Sequence, residues 1–300
     1  MTEEIKKARG KRNQEIIDPN TIDERFVLNF KFSNFQKSVI KLIYEMRILS
    51  TLQIVDITNK TIKYVRSQLL DLYKNGFLYR NFESVNYGQG SSEAYWMIDK
   101  GGALFLAGAY DIKLKELNWD MRDNFIAFEK LTHSLKISEV RTIMEKAARE
   151  SGHVIENCIC DRHLYFRFKH NDELHVLRPD MLVTYNDGNK IYQYFFEIDM
   201  GTMAINGPLH RTSNVISKLP KYEGFKMSNG WKEYFEVYPR VIFLTTTKNR
   251  AQLMADSIKE KQQTKIDFLF TTFDFFEKDP LGKERLIYLK TDDTKTNLFE

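Results

Sequence analysis

Apolar and polar positions change period along the chain, and the changes divide it. Over residues 33–49, Phe35, Val39, Leu42, Ile43 and Met46 recur at helical spacing, with Ser33 placed as the cap. Ser50-Thr51 then opens a shorter helix, 52–57, whose Leu52, Val55 and Ile57 are expected to pack on the first. After Thr58-Asn59 a third helix is predicted over 60–75, with Val65, Leu69, Leu70 and Tyr73 inward and Gly76 as its stop. Residues 77–80 and 94–98 read as strands around a polar loop, 86–92, which makes a hairpin. Residues 100–109 read as a short closing helix.

Beyond 110 the pattern alternates. A connector, 111–132, leads to a helix at 133–150 and strands at 153–160, 163–168, 174–185 and 190–200. A helical stretch at 208–227 follows, then a strand at 239–247, a helix at 248–262 and strands at 266–271 and 286–289. The fold class expected is α+β: a flexible tail (1–30), a winged helix-turn-helix (31–110), a helical connector (111–132), and an α/β domain with a central mixed sheet (133–300).

A helix fits the major groove of a duplex, and the start of a recognition helix approaches the bases. Lys60, Thr61, Lys63, Tyr64, Arg66 and Ser67 are suitable types at that start. Arg80 and the polar loop are placed to meet backbone phosphate. The phrase LLDLYKNGFLYR resembles the helix-to-wing junction of bacterial winged helix proteins. Double-stranded DNA is therefore the expected partner. The competing reading is a helical bundle with a solvated basic face that makes protein contacts. Winged helix proteins commonly dimerise to read two half-sites, so a homodimer is expected, with Leu114, Leu117, Trp119 and Phe125 of the connector as candidate contacts.

Total charge decides little, since 45 basic residues stand against 41 acidic for a net +4. Lys6, Lys7, Arg9, Lys11 and Arg12 are interleaved with acids, as in a solvated terminus. No apolar run approaches a membrane span and the first residues are charged, so a cytoplasmic protein without a membrane partner is expected. Cys158 and Cys160 read as two small buried thiols on one strand face. The six histidines show no paired ligand spacing.

The chemistry concentrates in two segments. Leu177-Arg178-Pro179-Asp180 opens a strand, and Phe195-Phe196-Glu197-Ile198-Asp199 closes one. Glu197 and Asp199, two apart, project to one face. With Asp180 they form a candidate site for magnesium, which could activate water and neutralise a scissile phosphate. The plainer alternatives are a turn cap for Asp180 and ion pairs of Glu197 and Asp199 with Arg178, Lys218 or Arg211.

Pro179-Asp180 with Glu197 resembles the PD-(D/E)xK nuclease superfamily. The departure is Asp199, where that pattern has lysine. The resemblance implies a restriction-endonuclease-like domain, with Asp180, Glu197 and Lys218 as catalytic groups and an assisting Glu139, followed by Glu145 and Glu156. A winged helix, then RPD, then Glu197-Ile198-Asp199-Met200-Gly201-Thr202, then Lys218-Leu219-Pro220-Lys221-Tyr222 is similar to the replication-relaxation family of plasmids and mobile elements. Pro220 would end or restart the helix that carries Lys218. That family implies a role in plasmid DNA replication, relaxation or transfer. Two activities remain open: a magnesium-dependent DNA nickase, and a non-enzymatic regulator of transcription or replication whose nuclease-like domain is inactive and mediates dimerisation or partner binding.

Overall fold

Local capping sets the ends of the first helices. The computed structural model describes residues 16–82, 93–125, 131–160, 163–206 and 214–300. The chain divides into two compact units, Met1–Thr132 and His133–Glu300. The basic residues at 6–12, the polar loop 86–92, His210 and Arg211 lie outside the described residues.

In the first unit, Asp23 caps α1 (Glu24–Asn29) and Ser33 with Gln36 forms a capping box on α2 (Asn34–Met46). Val39, Ile40, Leu42, Ile43 and Met46 of α2 are buried. A two-residue strand β1 (Leu49–Ser50) leads into α3 (Thr51–Thr58), boxed by Ser50 and Gln53. Here the expectation changes: α3 buries Ile54, while Leu52, about 200° away around the helix, is half exposed. In α4 (Ile62–Lys74) the buried positions are Val65, Leu69 and Leu72. That i, i+4, i+7 stripe leaves Leu70 on an exposed flank and Tyr73 half-buried.

Strands β2 (Leu78–Phe82) and β3 (Ala94–Ile98) pair antiparallel, and β1 joins β3 opposite Trp96. The buried Trp96 donates from Nε1 to the Thr51 hydroxyl at 2.9 Å. The closing helix α5 (Lys100–Tyr110) runs against the Gly76–Phe77 backbone. Any Cβ at Gly101 or Gly102 would lie 2.7 and 2.4 Å from the carbonyl oxygens of Gly76 and Phe77, so this pair serves close packing.

Two expectations are corrected in this unit. The described part of the 1–30 tail is ordered: Ile17 N–H donates to the Lys74 carbonyl, Lys100 Nζ donates to the Asn20 carbonyl, and Ile22 is buried. The described part of the connector holds short 3-10 turns (Leu114–Glu116 and Met121–Phe125) in place of an α-helix. It packs on its own unit, with Trp119 Nε1 and Asn124 Nδ2 both donating to the Ile98 carbonyl.

The second unit opens with α6 (Thr132–Glu150). Its strands are β4 (Val154–Cys160), β5 (Phe166–His170), β6 (Glu173–Leu177), β7 (Met181–Asn186) and β8 (Ile191–Ile198). There follow α7 (Leu219–Met227), β9 (Arg240–Thr245), α8 (Lys248–Lys261), β10 (Phe268–Thr272), α9 (Phe273–Lys278), β11 (Tyr288–Lys290) and β12 (Lys295–Thr296). Among the described residues seven strands form one mixed sheet in the order β12-β11-β10-β9-β8-β7-β4, while β5 and β6 pair apart. β8, β9 and β10 run parallel, and the remaining pairs are antiparallel.

The single strand expected at 174–185 is two. Pro179 lacks the N–H a ladder needs, so Leu177 ends one hairpin and Met181 starts a strand of the main sheet. The phenylalanine run also divides: Thr272 caps α9, which turns Phe276 into the core. Cys158 and Cys160 are buried, and their sulfurs lie 3.9 Å apart. Among the described residues no helix is long and apolar enough to cross a membrane.

Candidate functional site

The register of the main sheet builds the site. β7 pairs with β8 through Met181↔Phe196, which sets Asp180 across from Glu197. The Asp180 N–H donates to the Phe196 carbonyl at 3.1 Å. The Asp180 carboxylate accepts from the Ile198 N–H at 2.7 Å. This aspartate is thus pinned at both ends of its residue by β8.

A third element brings the cation. Asn214 caps a 3-10 turn, Val215–Lys218, through the Ser217 N–H. That turn runs directly into α7, with Pro220 in its first turn, where a missing N–H costs nothing. The proline therefore restarts the helix and leaves Lys218 at the junction. Lys218 Nζ donates to Glu197 Oε2 and lies 3.8 Å from Asp180 Oδ2. The Tyr222 hydroxyl, one turn further on, donates to Glu197 Oε1 at 2.5 Å. Tyr222 is held in turn, its carbonyl accepting from the Tyr238 hydroxyl at 2.8 Å.

The electrostatics follow from burial and pairing. Glu197 is 1% exposed, and burial pushes its carboxyl up to about 7 against the pull of Lys218 and Tyr222. Burial also works against Asp180, but the hydrogen bond from His133, the charge of Lys218 and the Ile198 N–H outweigh it and hold the carboxyl below its ordinary value. Burial disfavours the Lys218 ammonium. The charges of Glu197 and Asp180 overcome that penalty and raise its pKa.

His133 is the residue that sequence reasoning missed. It sits in the first turn of α6, and its Nε2 is 3.4 Å from Asp180 Oδ1. No spacing pattern links positions 133 and 180. Only the docking of α6 beside the start of β7 does.

Asp199 takes a different course from the one expected. It shares a sheet face with Glu197 but lies just past the end of β8. Arg250 of α8 grips both its oxygens, from Nε and from Nη2 at 2.8 Å, and the Thr245 hydroxyl donates to Oδ2. Glu197 looks to α7 and Asp199 to α8. The carboxylate of Asp199 is spent on a structural pair, so it is corrected from candidate metal ligand to anchor of the β8–β9 end.

The glutamates also disperse. Glu139 pairs with Lys136 at 2.7 Å, Glu145 with Arg141 at 3.5 Å, and Glu156 accepts from Asn186 Nδ2 at 2.7 Å. Among the described residues no group of three or more His, Cys, Asp or Glu is arranged to hold a metal ion. Asp180 and Glu197 form a pair, which matches how magnesium is commonly held: one or two carboxylates, with water and phosphate oxygens completing the shell.

In the first unit, Lys60, Thr61, Lys63, Tyr64, Arg66 and Ser67 are all exposed around the start of α4. The Tyr64 ring packs on Phe35 with centroids 5.0 Å apart. Arg80, expected to meet phosphate, is partly exposed and also packs within its unit. Its guanidinium lies over the Tyr73 ring at 4.6 Å and the Phe82 ring at 4.9 Å, and its Nε is buried. This stack is a cation–π contact that fixes β2 to α4.

The family model described as replication-relaxation matches residues 40–241, which spans both units. No curated protein matches the chain. A solved structure of the restriction endonuclease FokI bound to DNA matches at 11% identity with a TM-score of 0.27, covering 83% of this chain. This chain spans about 45% of the length of that one, and a likeness of that degree is too slight to establish a shared fold.

Proposed function

The chain belongs to the replication-relaxation family, and from that premise we propose that it acts on DNA in the replication, relaxation or transfer of a plasmid or other mobile element. The first unit is a winged helix-turn-helix with α4 as its recognition helix and β2–β3 as its wing. The second is a PD-(D/E)xK-like domain that handles the DNA backbone. One observation carries this reading: Lys218 reaches both Glu197 and Asp180 across elements distant in sequence. Two acids and a lysine converging at paired strand ends form a set suited to a phosphodiester under attack.

In such a reaction Lys218 stabilises charge building on the phosphate oxygens. Asp180, held ionised, and Glu197 would bind magnesium, which would supply an activated water and neutralise the phosphate. Tyr222 orients the Glu197 carboxylate, and His133 orients that of Asp180. Supercoiled plasmid incubated with the protein and magnesium or manganese should be nicked, and Asp180→Ala should lose that nicking by a factor of at least a hundred. Equal nicking by the variant would remove Asp180 from the chemistry.

A second reading has its own support. The Lys218 ammonium lies within reach of both carboxylates, the place a divalent cation would take. A lysine so placed neutralises the acids without metal, as a backbone-gripping regulator that does not cut would need. Tight duplex binding without nicking under either metal would select it.

Duplex recognition is tested apart from cutting. Lys63→Gln with Arg66→Gln should weaken duplex binding and lower the slope of log K against log salt by about 2, close to one for each phosphate no longer neutralised. Unchanged affinity and slope would remove α4 from the interface. A homodimer is part of this proposal, since paired recognition helices would read two half-sites.

A further inference from the structure

The acid–lysine site opens onto a cavity of about 330 Å³ lined by Val176, Leu177, Arg178, Glu197, Lys218 and Lys221. Half of these lining residues are cations. Lys218 is committed to the two acids. The one acid in the lining, Glu197, is already answered by Lys218 and Tyr222. Arg178 and Lys221 are exposed, and among the described residues neither has a hydrogen bond or ion pair. Two positive charges therefore line the cavity with no acid paired to them among the described residues, and an entering anion relieves their repulsion.

Their placement is set by the site itself. Arg178 precedes Pro179-Asp180, so a proline separates it from the aspartate pinned to β8. Lys221 follows Lys218 by three residues, next to Tyr222 in α7. Arginine offers a planar fork that matches phosphate oxygens, lysine adds a point charge, and Val176 with Leu177 gives an apolar wall. A volume of about 330 Å³ is at the small end of ligand cavities, enough for a phosphate with its sugar.

We propose that Arg178 and Lys221 form a phosphate clamp that grips the phosphodiester next to the one facing Asp180, Glu197 and Lys218. The clamp rests on the reading of that site as a DNA-backbone site. It sets the strand's register there without reading sequence, as backbone contacts do.

The test is calorimetric titration of the full chain with a single-stranded DNA tetramer, too short to offer a duplex groove, and in parallel with inorganic phosphate. Arg178→Gln with Lys221→Gln should weaken tetramer binding at least tenfold and lower its salt slope by about 1.4, the single-strand value for two neutralised phosphates. The swap Arg178→Lys with Lys221→Arg should keep most of the binding. The pair Lys278→Gln with Lys283→Gln, exposed and outside the cavity, removes the same charge and should change neither quantity. Tetramer binding that ignores Arg178 and Lys221, or inorganic phosphate bound as tightly as the tetramer, would overturn the clamp. If duplex binding and Asp180-dependent nicking persist in the same preparations, only the clamp falls. If the wild type binds neither tetramer nor duplex, both readings fall.

Discussion

Replacing Arg250 by methionine is expected to destabilise the second unit by about 3–5 kcal/mol, the usual cost of stranding one partner of a buried ion pair. Asp199 is 3% exposed, and its two oxygens take both arms of the guanidinium. The same Nη2 also donates to the Met203 carbonyl at 2.6 Å, so the arginine ties the loop after β8 to α8. Methionine keeps much of the volume but leaves a buried carboxylate with, among the described residues, the Thr245 hydroxyl as its remaining side-chain donor. Adding Asp199→Asn should recover a good part of the loss, because the stranded charge is gone. Amide exchange over β8 and β9 during urea titration reads the unit by itself. A loss under about 1 kcal/mol, or no recovery in the double variant, would show that Asp199 is solvated or otherwise paired.

Replacing Lys218 by methionine should carry the fall of stability with pH past neutrality, where the wild type levels off. In the wild type the folded Glu197 holds its proton to about pH 7, whereas its ordinary value is 4.5. Between those values the folded state binds more protons than the unfolded chain, so stability falls as pH rises. This contribution is complete below pH 4.5, spent above about 7, and worth about 3 kcal/mol across the interval. Asp180 acts oppositely. Its lowered pKa contributes stability above 3.8 that is lost as pH falls through the folded value. Lys218, raised from 10.5, contributes below that pH and loses its contribution above it.

Without Lys218 the strongest force that keeps Glu197 ionised is gone. Its pKa rises further, and stability should keep falling past pH 7 by about 1.4 kcal/mol per unit, where the wild type is flat. Melting temperatures of both proteins from pH 5 to 9 check this. Their difference should hold nearly constant from pH 5 to about 7 and widen above it. A gap independent of pH would mean that methionine costs only packing and that Glu197 does not titrate against Lys218.

Much of the architecture is visible as local pattern. Val39, Ile43 and Met46 announce α2 because a helix repeats every 3.6 residues, and Ser33 marks its start because a hydroxyl there satisfies a free N–H. The pattern is weaker where a short helix has few apolar residues, as in α3, where Ile54 and not Leu52 turned inward. It also fails where one residue interrupts a run, as Pro179 divides β6 from β7 and Thr272 turns β10 into α9.

The site divides along the same line. Asp180, Glu197 and Lys218 were legible because residue types at characteristic spacings resemble a known arrangement. Which acid meets which cation was not. Glu197 and Asp199 look equivalent in sequence, two apart on one strand face. α7 brings Lys218 and Tyr222 to the first, and α8 brings Arg250 to the second. His133 reaches Asp180 because α6 starts beside β7, and Arg80 lies over the Tyr73 ring. Periodicity and capping are properties of neighbouring residues, so the chain itself determined its helices, its strands and its stock of charged groups. Pairing is a property of packed elements, so only the tertiary structure decided which of those charges are neutralised and which, like Arg178 and Lys221, are left without a partner among the described residues.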